Sequence, residues 1–591
     1  MSFPEISASG LYVGQIFFQR AAELGDRTFI KFQKCERFEE ISWCDFAAIV
    51  SHTLLGLYAL GIMPGDRVAI IGENSLAWLA ADLATLAGGF TNVVISPGLS
   101  DNMFAKVLGH AGCRAAFVHD AETARRLIDL QEQLPALQQV LIMNDGGCGN
   151  AKALNFRDLM ERGSRGHNAQ RARLVEAVGR NDVATIMYTS GSTGEPKGVM
   201  RTQGNLLANI TNGGVITVSG PDELTVNVLS LNHLFGRFGF LKSAVTGRTT
   251  ALVEAAETKL DLSVLAQLAP TALTVVPRVM ERIWDRVLAH DDTQALWREL
   301  ENLDGKHYSG LHTEAEFRRF EELKGQIQAN VRRMLGGRIK YISYGGAAMP
   351  PRIMRFFALI GIPLVGSYGS TECGGVTLCG LGETRPGNLG KPFANVEIRI
   401  AADGEILVRG PTVSPGYFKN PEATAEAFDE EGWYRTGDLG LLETDGSLRI
   451  IGRKKDVFNC ADGSNIYPGF IELQLENEPF ISEAVLIGDR RPFIAALIVP
   501  DRQRIAESLD HDIAALSGSE IIAAVWRQIE RVNTRLENYE RIRRIEIIPD
   551  EFPADIRSIN HFHKVKVNRE RVGARFRPQI DAIYATTRMR G

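Results

Sequence analysis

Tyr188–Met200 reads YTSGSTGEPKGVM, and it follows the apolar run DVATIM (Asp182–Met187) without a break. Gly191, Gly194 and Gly198 permit positive φ and close backbone approach, so successive N–H groups can converge on an anion. Thr189, Ser190, Ser192 and Thr193 add hydroxyl donors, and Lys197 adds a point charge suited to phosphate. The stretch predicts a strand running into a turn that holds a polyphosphate. Its spacing differs from the nucleotide loop GxxxxGK[ST], because Glu195 and Pro196 stand between Gly194 and the lysine. Pro196 also keeps Lys197 out of a helix interior.

The 591 residues around it exceed one ordinary domain; at about 150 residues per unit they predict roughly three or four units. A 45% hydrophobic content supports large cores, and 23% charged residues is an ordinary globular figure. A net charge of -5 on this length argues against whole-chain attraction to nucleic acid, so no nucleic-acid partner is expected. Seven cysteines, Cys35, Cys44, Cys113, Cys148, Cys373, Cys379 and Cys460, are scattered and never spaced CxxC. They predict reduced thiols in a cytoplasmic protein rather than a disulfide framework or a zinc site. MSFPEISASGLYVGQIF lacks the basic region and apolar core of a secretory signal. The best membrane-span candidate, SLAWLAADLATLAGGF (Ser75–Phe90), is interrupted by Asp82 and reads as a buried helix. No transmembrane segment is expected, and peripheral membrane contact stays open.

From Arg27 to about residue 280, short apolar strands alternate with helical patterns. DRVAIIG (Asp66–Gly72), CRAAFVH (Cys113–His119) and LQQVLIM (Leu137–Met143) are such strands, and CDFAAIVSHTLLGLYALG (Cys44–Gly61) is such a helix. The alternation predicts an α/β fold with mostly parallel strands. Asn144–Asn150 reads as a loop, and Arg282–Met334 as two or three charged, solvent-facing helices. Between Gly387 and Ile451 the strands VEIRI, GEILVRG and GSLRIIGR, with turns at Asp403-Gly404 and Asp445-Gly446, predict a compact antiparallel β unit. Beyond GRKKDVF a mixed segment, a long helix and a basic tail follow; Arg531–Gly591 holds 14 Lys and Arg against 8 Asp and Glu. These shifts place a domain boundary near Lys455, giving residues 1–454 and 455–591.

YTSGSTGEPKGVM closely resembles the signature of the adenylate-forming superfamily of acyl-CoA synthetases, luciferases and peptide-synthetase adenylation domains. Further motifs stand in the family's order over residues 15 to 575. SYGSTECGG (Ser367–Gly375) resembles its aromatic-Gly-x-Thr-Glu motif. By that resemblance Tyr368, with Gly369, stacks on adenine, Thr371 holds the α-phosphate, and Glu372 binds Mg²⁺. YISYGGAAMP resembles the segment beside the adenine, with Gly345, Gly346 and Ala347 allowing close approach; Tyr344 stands where many relatives have serine. WYRTGDLG (Trp433–Gly440) supplies Asp438 for the ribose hydroxyls, since a carboxylate offers two acceptors to a vicinal diol. GRKKD (Gly452–Asp456) adds Arg453 at the ribose and Lys455 at the hinge between domains.

LSLNHLFGRFG (Leu229–Gly239) resembles the His-x-x-x-Arg element of long-chain fatty acyl-CoA synthetases, with His233 near the acyl group and Arg237 on the same face if the segment is helical. Val-Pro-Arg within Pro270–Val287 resembles the same branch. Gly374 and Gly375 stand where relatives line the acyl pocket, and small residues there leave room for a bulky acid.

The family's catalytic lysine falls within SINHFHKVKVNRERV (Ser558–Val572), where Lys564 matches best and Lys566 next. The preceding Asn-His-Phe-His departs from the usual small residues. His561 and His563 without a further nearby ligand make a poor metal site. Phe470 in IYPGFIELQLE replaces a common glutamate, while Glu472 persists. The resemblance implies a large domain of two α/β layered subdomains plus a small β-barrel-like unit, then a small mobile α+β domain carrying the lysine loop. The implied reaction joins a small-molecule carboxylic acid to the α-phosphate of ATP and releases pyrophosphate. Transfer to coenzyme A with release of AMP follows. Two alternatives stay open: loading of a carrier-protein pantetheine, and a non-catalytic adenylate-binding homologue. Carrier-loading relatives hold an insertion before the small domain, and none is evident between Gly440 and Asp456.

Overall fold

The computed structural model describes residues 6, 9–34, 37–144, 153–190, 195–212, 220, 222–253, 261–289, 291–308, 313–385, 387–549, 552–553, 557–559, 565–567 and 569–585. The chain divides into two compact units. One comprises Met1–Met349, Ile353–Ile398 and Val408–Arg435; the other comprises Pro350–Arg352, Arg399–Leu407 and Thr436–Gly591.

Alternating strands and helices build two large sheets in the first unit. The seven-stranded sheet runs in the order Ala153–Asn155, Gln139–Ile142, Cys113–Val118, Arg67–Ile71, Thr91–Ile95, Val183–Ser190, Pro196–Thr202. Only its last strand is antiparallel to its neighbour. The nine-stranded sheet runs Lys391–Pro392, Gly374–Leu378, Leu364–Ser370, Tyr341–Tyr344, Ala272–Val275, Leu224–Asn227, Thr249–Leu252, Thr28–Lys34, Arg37–Ser42. It is parallel from Leu364–Ser370 through Thr28–Lys34 and antiparallel at both edges.

A parallel sheet covered on both faces needs strands apolar on both sides. Arg67–Ile71 shows this: Val68 and Ile70 join one core while Ala69 and Ile71 join another. The first of these cores is shared by both sheets and takes in the helices Val13–Leu24, Trp43–Ala59, Leu76–Ala87 and Leu234–Thr246. Ser42 and Ser75 start two of those helices by accepting the Asp45 and Trp78 N–H groups. The charged Arg282–Met334 stretch belongs to three helices, Pro277–Leu288, Asp291–Tyr308 and Glu314–Met334, whose apolar sides cover the nine-stranded sheet with Trp297, Phe320 and Ile327.

In the second unit, Ile481–Ile487 pairs antiparallel with Ile494–Pro500, which pairs parallel with Ile542–Ile547. Helices Pro468–Glu476 and Gly518–Asn533 cover one face of this sheet, and Arg577–Ala585 covers the other. Both Asp-Gly turns form, with Gly404 and Gly446 at φ 83. Among the described residues no helix is long and apolar enough to cross a membrane, and Cys44, Cys113, Cys373, Cys379 and Cys460 are free thiols.

Candidate active site

Val183–Ser190 turns back as Pro196–Thr202, pairing Tyr188 with Gly198, Thr189 with Lys197 and Ser190 with Pro196. The two strands are therefore paired as a hairpin, and a helix begins only at Gln203. Gly191, Ser192, Thr193 and Gly194 at its tip lie outside the described residues, as does the Ser190 side chain. The Lys197 ammonium stands 5.2 Å over the Tyr417 ring. Glu195 pairs with Lys106 at 2.7 Å.

Toward the turn end of the hairpin the Tyr188 hydroxyl meets His110 Nδ1 at 2.7 Å. Burial, then the Lys419 charge, holds His110 below its usual value of 6.5. The folded unit then binds this proton less readily than the unfolded chain, so stability is full above the unfolded value and declines as pH falls through it. His110→Gln is expected to flatten the acid side of the melting-temperature profile below about pH 6.5. Parallel profiles for the two proteins would refute this.

Leu364–Ser370 ends in the Thr371–Glu372 turn and returns as Gly374–Leu378, with a bulge between Tyr368 and Gly369. Tyr368 is buried. A side chain on Gly369 would sit 2.0 Å from the Gly374 carbonyl oxygen, so the two strands approach closely there. Glu372 is partly exposed; it accepts from Ser370 Oγ at 3.0 Å and from the Tyr417 hydroxyl at 3.4 Å. Burial, then Glu372 itself, raises the Tyr417 phenol, which remains a donor. Gly345 follows the adjoining strand Tyr341–Tyr344, and a Cβ on it would lie 2.7 Å from Ser367 Oγ. Gly346 adopts φ 84 and, like Ala347, is exposed.

Gly374 does not leave an empty space for an acyl chain, contrary to the sequence expectation. A Cβ there would sit 2.3 Å from Asn209 Oδ1 and 2.7 Å from Arg201 Nη2, and Gly374 has φ 66. One beside it, at Gly375, would stand 3.0 Å from the Phe393 ring. The smallness of these glycines admits Arg201, Asn209 and Phe393. Arg201 was missed by sequence reasoning. It is fully buried beneath the turn, its Nη1 donates to the carbonyls of Thr371 and Glu372 at 3.3 Å each, and burial pulls it down to about 10. Its position two residues from buried Val199 on one strand puts a charge on the inward face, which was the available signal.

His233 and Arg237 also part from expectation. His233 is the N-cap of Leu234–Thr246, at φ -104 and ψ 142, while Arg237 lies inside the helix and is fully buried. Arg237 grips Asp82 through Nε at 2.9 Å and Nη2 at 2.6 Å, and donates from Nη1 to Thr185 at 3.0 Å. Asn92 donates to the same carboxylate at 2.8 Å. Arg237 is thus a strut between helices and the strand that enters the hairpin. The two residues do not present one face to a ligand.

In the second unit Asp438 stands opposite Arg453 in the antiparallel register, and Arg453 Nε lies 2.6 Å from Asp438 Oδ1. Lys454 is held by Asp403 at 2.6 Å and Glu405 at 2.8 Å. Gly437, Arg453, Lys454 and Lys455 line a cavity of about 360 Å³. Lys564, His561 and His563 lie outside the described residues, as does the Lys566 side chain. The strands Arg557–Ile559 and Val565–Val567 that flank them form a hairpin. Glu472 receives the Leu486 N–H at 2.6 Å and pairs with Arg569 just beyond that hairpin.

Among the described residues no three His, Cys, Asp or Glu side chains gather into a metal cage. Glu372, a single partly exposed carboxylate, fits Mg²⁺, which takes one or two carboxylates and completes its shell with phosphates and water.

The AMP-binding enzyme family matches residues 17–418, and the AMP-binding enzyme C-terminal domain family matches residues 455–588. The chain is 32% identical over 573 residues to long-chain-fatty-acid–CoA ligase FadD15 of Mycobacterium bovis, covering 92% of each. It is 28% identical over 576 residues to long-chain-fatty-acid–CoA ligase 1 of Homo sapiens, covering 89% of this chain and 79% of that one. It also matches the solved A domain of carboxylic acid reductase from Segniliparus rugosus in complex with AMP and a co-purified carboxylic acid. That match has a TM-score of 0.71 and 20% identity, covers 99% and 96% of the two chains, and concerns the fold.

Proposed function

Because this chain belongs to the AMP-binding enzyme family, we propose that it is an acyl-CoA synthetase acting on a long-chain or similarly bulky fatty acid. The match over 92% of the chain to a long-chain-fatty-acid–CoA ligase is the observation that carries this reading. In the first half-reaction a carboxylate oxygen bonds to the α-phosphorus of ATP and the bond to pyrophosphate breaks. In the second, the sulfur of coenzyme A attacks the acyl carbonyl and the bond to AMP breaks. The first step asks the protein mainly for positioning and charge neutralisation.

The 189–198 hairpin, with Lys197, would hold the β- and γ-phosphates. Thr371 would take the α-phosphate, and Tyr368 with Gly345, Gly346 and Ala347 the adenine. Glu372 would hold Mg²⁺, which when bound neutralises phosphate charge. Asp438 and Arg453 would take the ribose, Lys455 would serve as the pivot between residues 1–454 and 455–591, and Lys564 would bridge carboxylate and α-phosphate. His233 would border the acyl group. An aspartate already aligned by Arg453 at 2.6 Å is poised to accept from two hydroxyls.

The test is acid-dependent ATP–pyrophosphate exchange across acids from acetate to long-chain and aryl, followed by CoA-dependent AMP release. Exchange with long-chain acids and thioester formation with free coenzyme A are expected. Exchange with no acid in the panel overturns the proposal. Asp438→Ala, which removes hydrogen bonds to a charged group, is expected to raise the half-saturating ATP concentration by about tenfold or more. An unchanged value would remove Asp438 from the ribose site.

A further inference from the structure

Among the described residues of the first unit, Arg201 and Arg237 are both fully buried, and they are satisfied in opposite ways. Arg237 finds acceptors for Nε, Nη1 and Nη2. Among the described residues Arg201 finds only the two main-chain carbonyls of Thr371 and Glu372; its Nε and Nη2 have no acceptor, and the Glu372 charge acts on it without a salt bridge. Unmatched donors on a buried cation are costly, so such an arrangement persists where the contact it makes is needed.

That contact joins two parts of the proposed nucleotide site. Arg201 lies on Pro196–Thr202, the return strand of the phosphate hairpin. Asn209, on the helix that follows, accepts the Gly375 N–H at 2.6 Å. The two side chains therefore hold the Thr371–Gly375 turn at both ends from beneath, and Gly374 lacks the Cβ that would push them away.

Resting on the acyl-adenylate reading, we propose that Arg201 is a positioning residue for nucleotide binding. It fixes the Thr371–Glu372 turn to the phosphate hairpin, so that α-phosphate donor and metal-holding carboxylate are set against the polyphosphate together. Its charge, partly offset by the Glu372 carboxylate, also favours the arriving phosphate in a low-dielectric interior.

The experiment compares Mg·ATP and adenosine binding by calorimetry in the intact chain and in Arg201→Met, Arg201→Lys and Asn209→Ala. Arg201→Met is expected to weaken Mg·ATP by about tenfold or more, the effect of removing a group that orients a ligand-holding residue. Adenosine, which lacks phosphate and metal, is expected to change by less than about twofold, and Arg201→Lys to regain part of the loss through its charge. Asn209→Ala, a smaller change at the other end of the turn, keeps the proposal testable should Arg201→Met not fold; it is expected to shift in the same direction. Equal weakening of adenosine and Mg·ATP would mean a purely structural role and would overturn the proposal, as would unchanged Mg·ATP binding. If the intact chain binds Mg·ATP but exchanges no pyrophosphate with any acid, the acyl-adenylate reading fails while Arg201 is still judged by this binding ratio. If it binds no nucleotide, both fail.

Discussion

Arg237→Met is expected to destabilise the large unit by about 3–5 kcal/mol, because it leaves a buried carboxylate without its partner. Asp82 and Arg237 are both fully buried and joined through two hydrogen bonds, so neither has water to fall back on. Burial raises Asp82, while the Arg237 charge and hydrogen bond oppose that rise. Once the guanidinium is gone, the folded chain holds a carboxyl that prefers a proton more than its unfolded counterpart does. The variant's stability should then increase as pH falls, and the deficit should be smaller at mildly acid pH than at neutral pH. The second replacement, Asp82→Leu in the Arg237→Met background, is expected to recover most of the loss. Urea midpoints followed by tryptophan fluorescence would read these differences, with Trp78 on the same helix as Asp82. A loss below about 1 kcal/mol would show that the pair is worth no more than a surface ion pair.

Lys564→Ala is expected to lower acid-dependent ATP–pyrophosphate exchange about 10²–10³-fold, the effect of removing one preorganised donor from developing charge. Thioester formation from a supplied acyl-adenylate should change far less, because that step no longer builds charge between carboxylate and α-phosphate. The contrast between half-reactions separates a catalytic lysine from one that merely supports the domain. Lys566→Ala is the control, since Lys566 pairs with Ser558 in the hairpin register. If the large loss follows Lys566 instead, the assignment within HKVKV is wrong. Loss of both half-reactions together would point to the hairpin's anchorage, where Arg569 meets Glu472 and the Leu486 carbonyl.

The strands of the large unit were legible because both faces of a parallel sheet are apolar, which leaves short hydrophobic runs between turn residues. DRVAIIG, CRAAFVH and LQQVLIM each appear as a strand within one or two residues of the reading. Pro196 also foretold that Lys197 stays out of a helix, since its ring forbids the helix that a lysine-bearing nucleotide loop would enter; the return strand that makes a hairpin was not foreseen. What periodicity could not show was pairing across long separations. Asp82 was noticed only as an interruption in an apolar helix, and Arg237 only as a neighbour of His233 four residues away. Their union depends on two helices crossing in one core, which no local pattern encodes. The same holds for Gly374: its size was visible, but whether the adjacent volume was empty or filled by Arg201 and Asn209 was a property of packing.

The Asp82–Arg237 strut also constrains how the protein is made. The two residues are separated by 155 positions, so at synthesis rates of about 5–20 residues per second the carboxylate precedes its partner by roughly 8–30 s. During that interval the nascent helix holding Asp82 cannot be sealed into the shared core without stranding an anion. Closure of that core must wait for the ribosome to pass residue 237, so the half built first matures only when the half built later arrives.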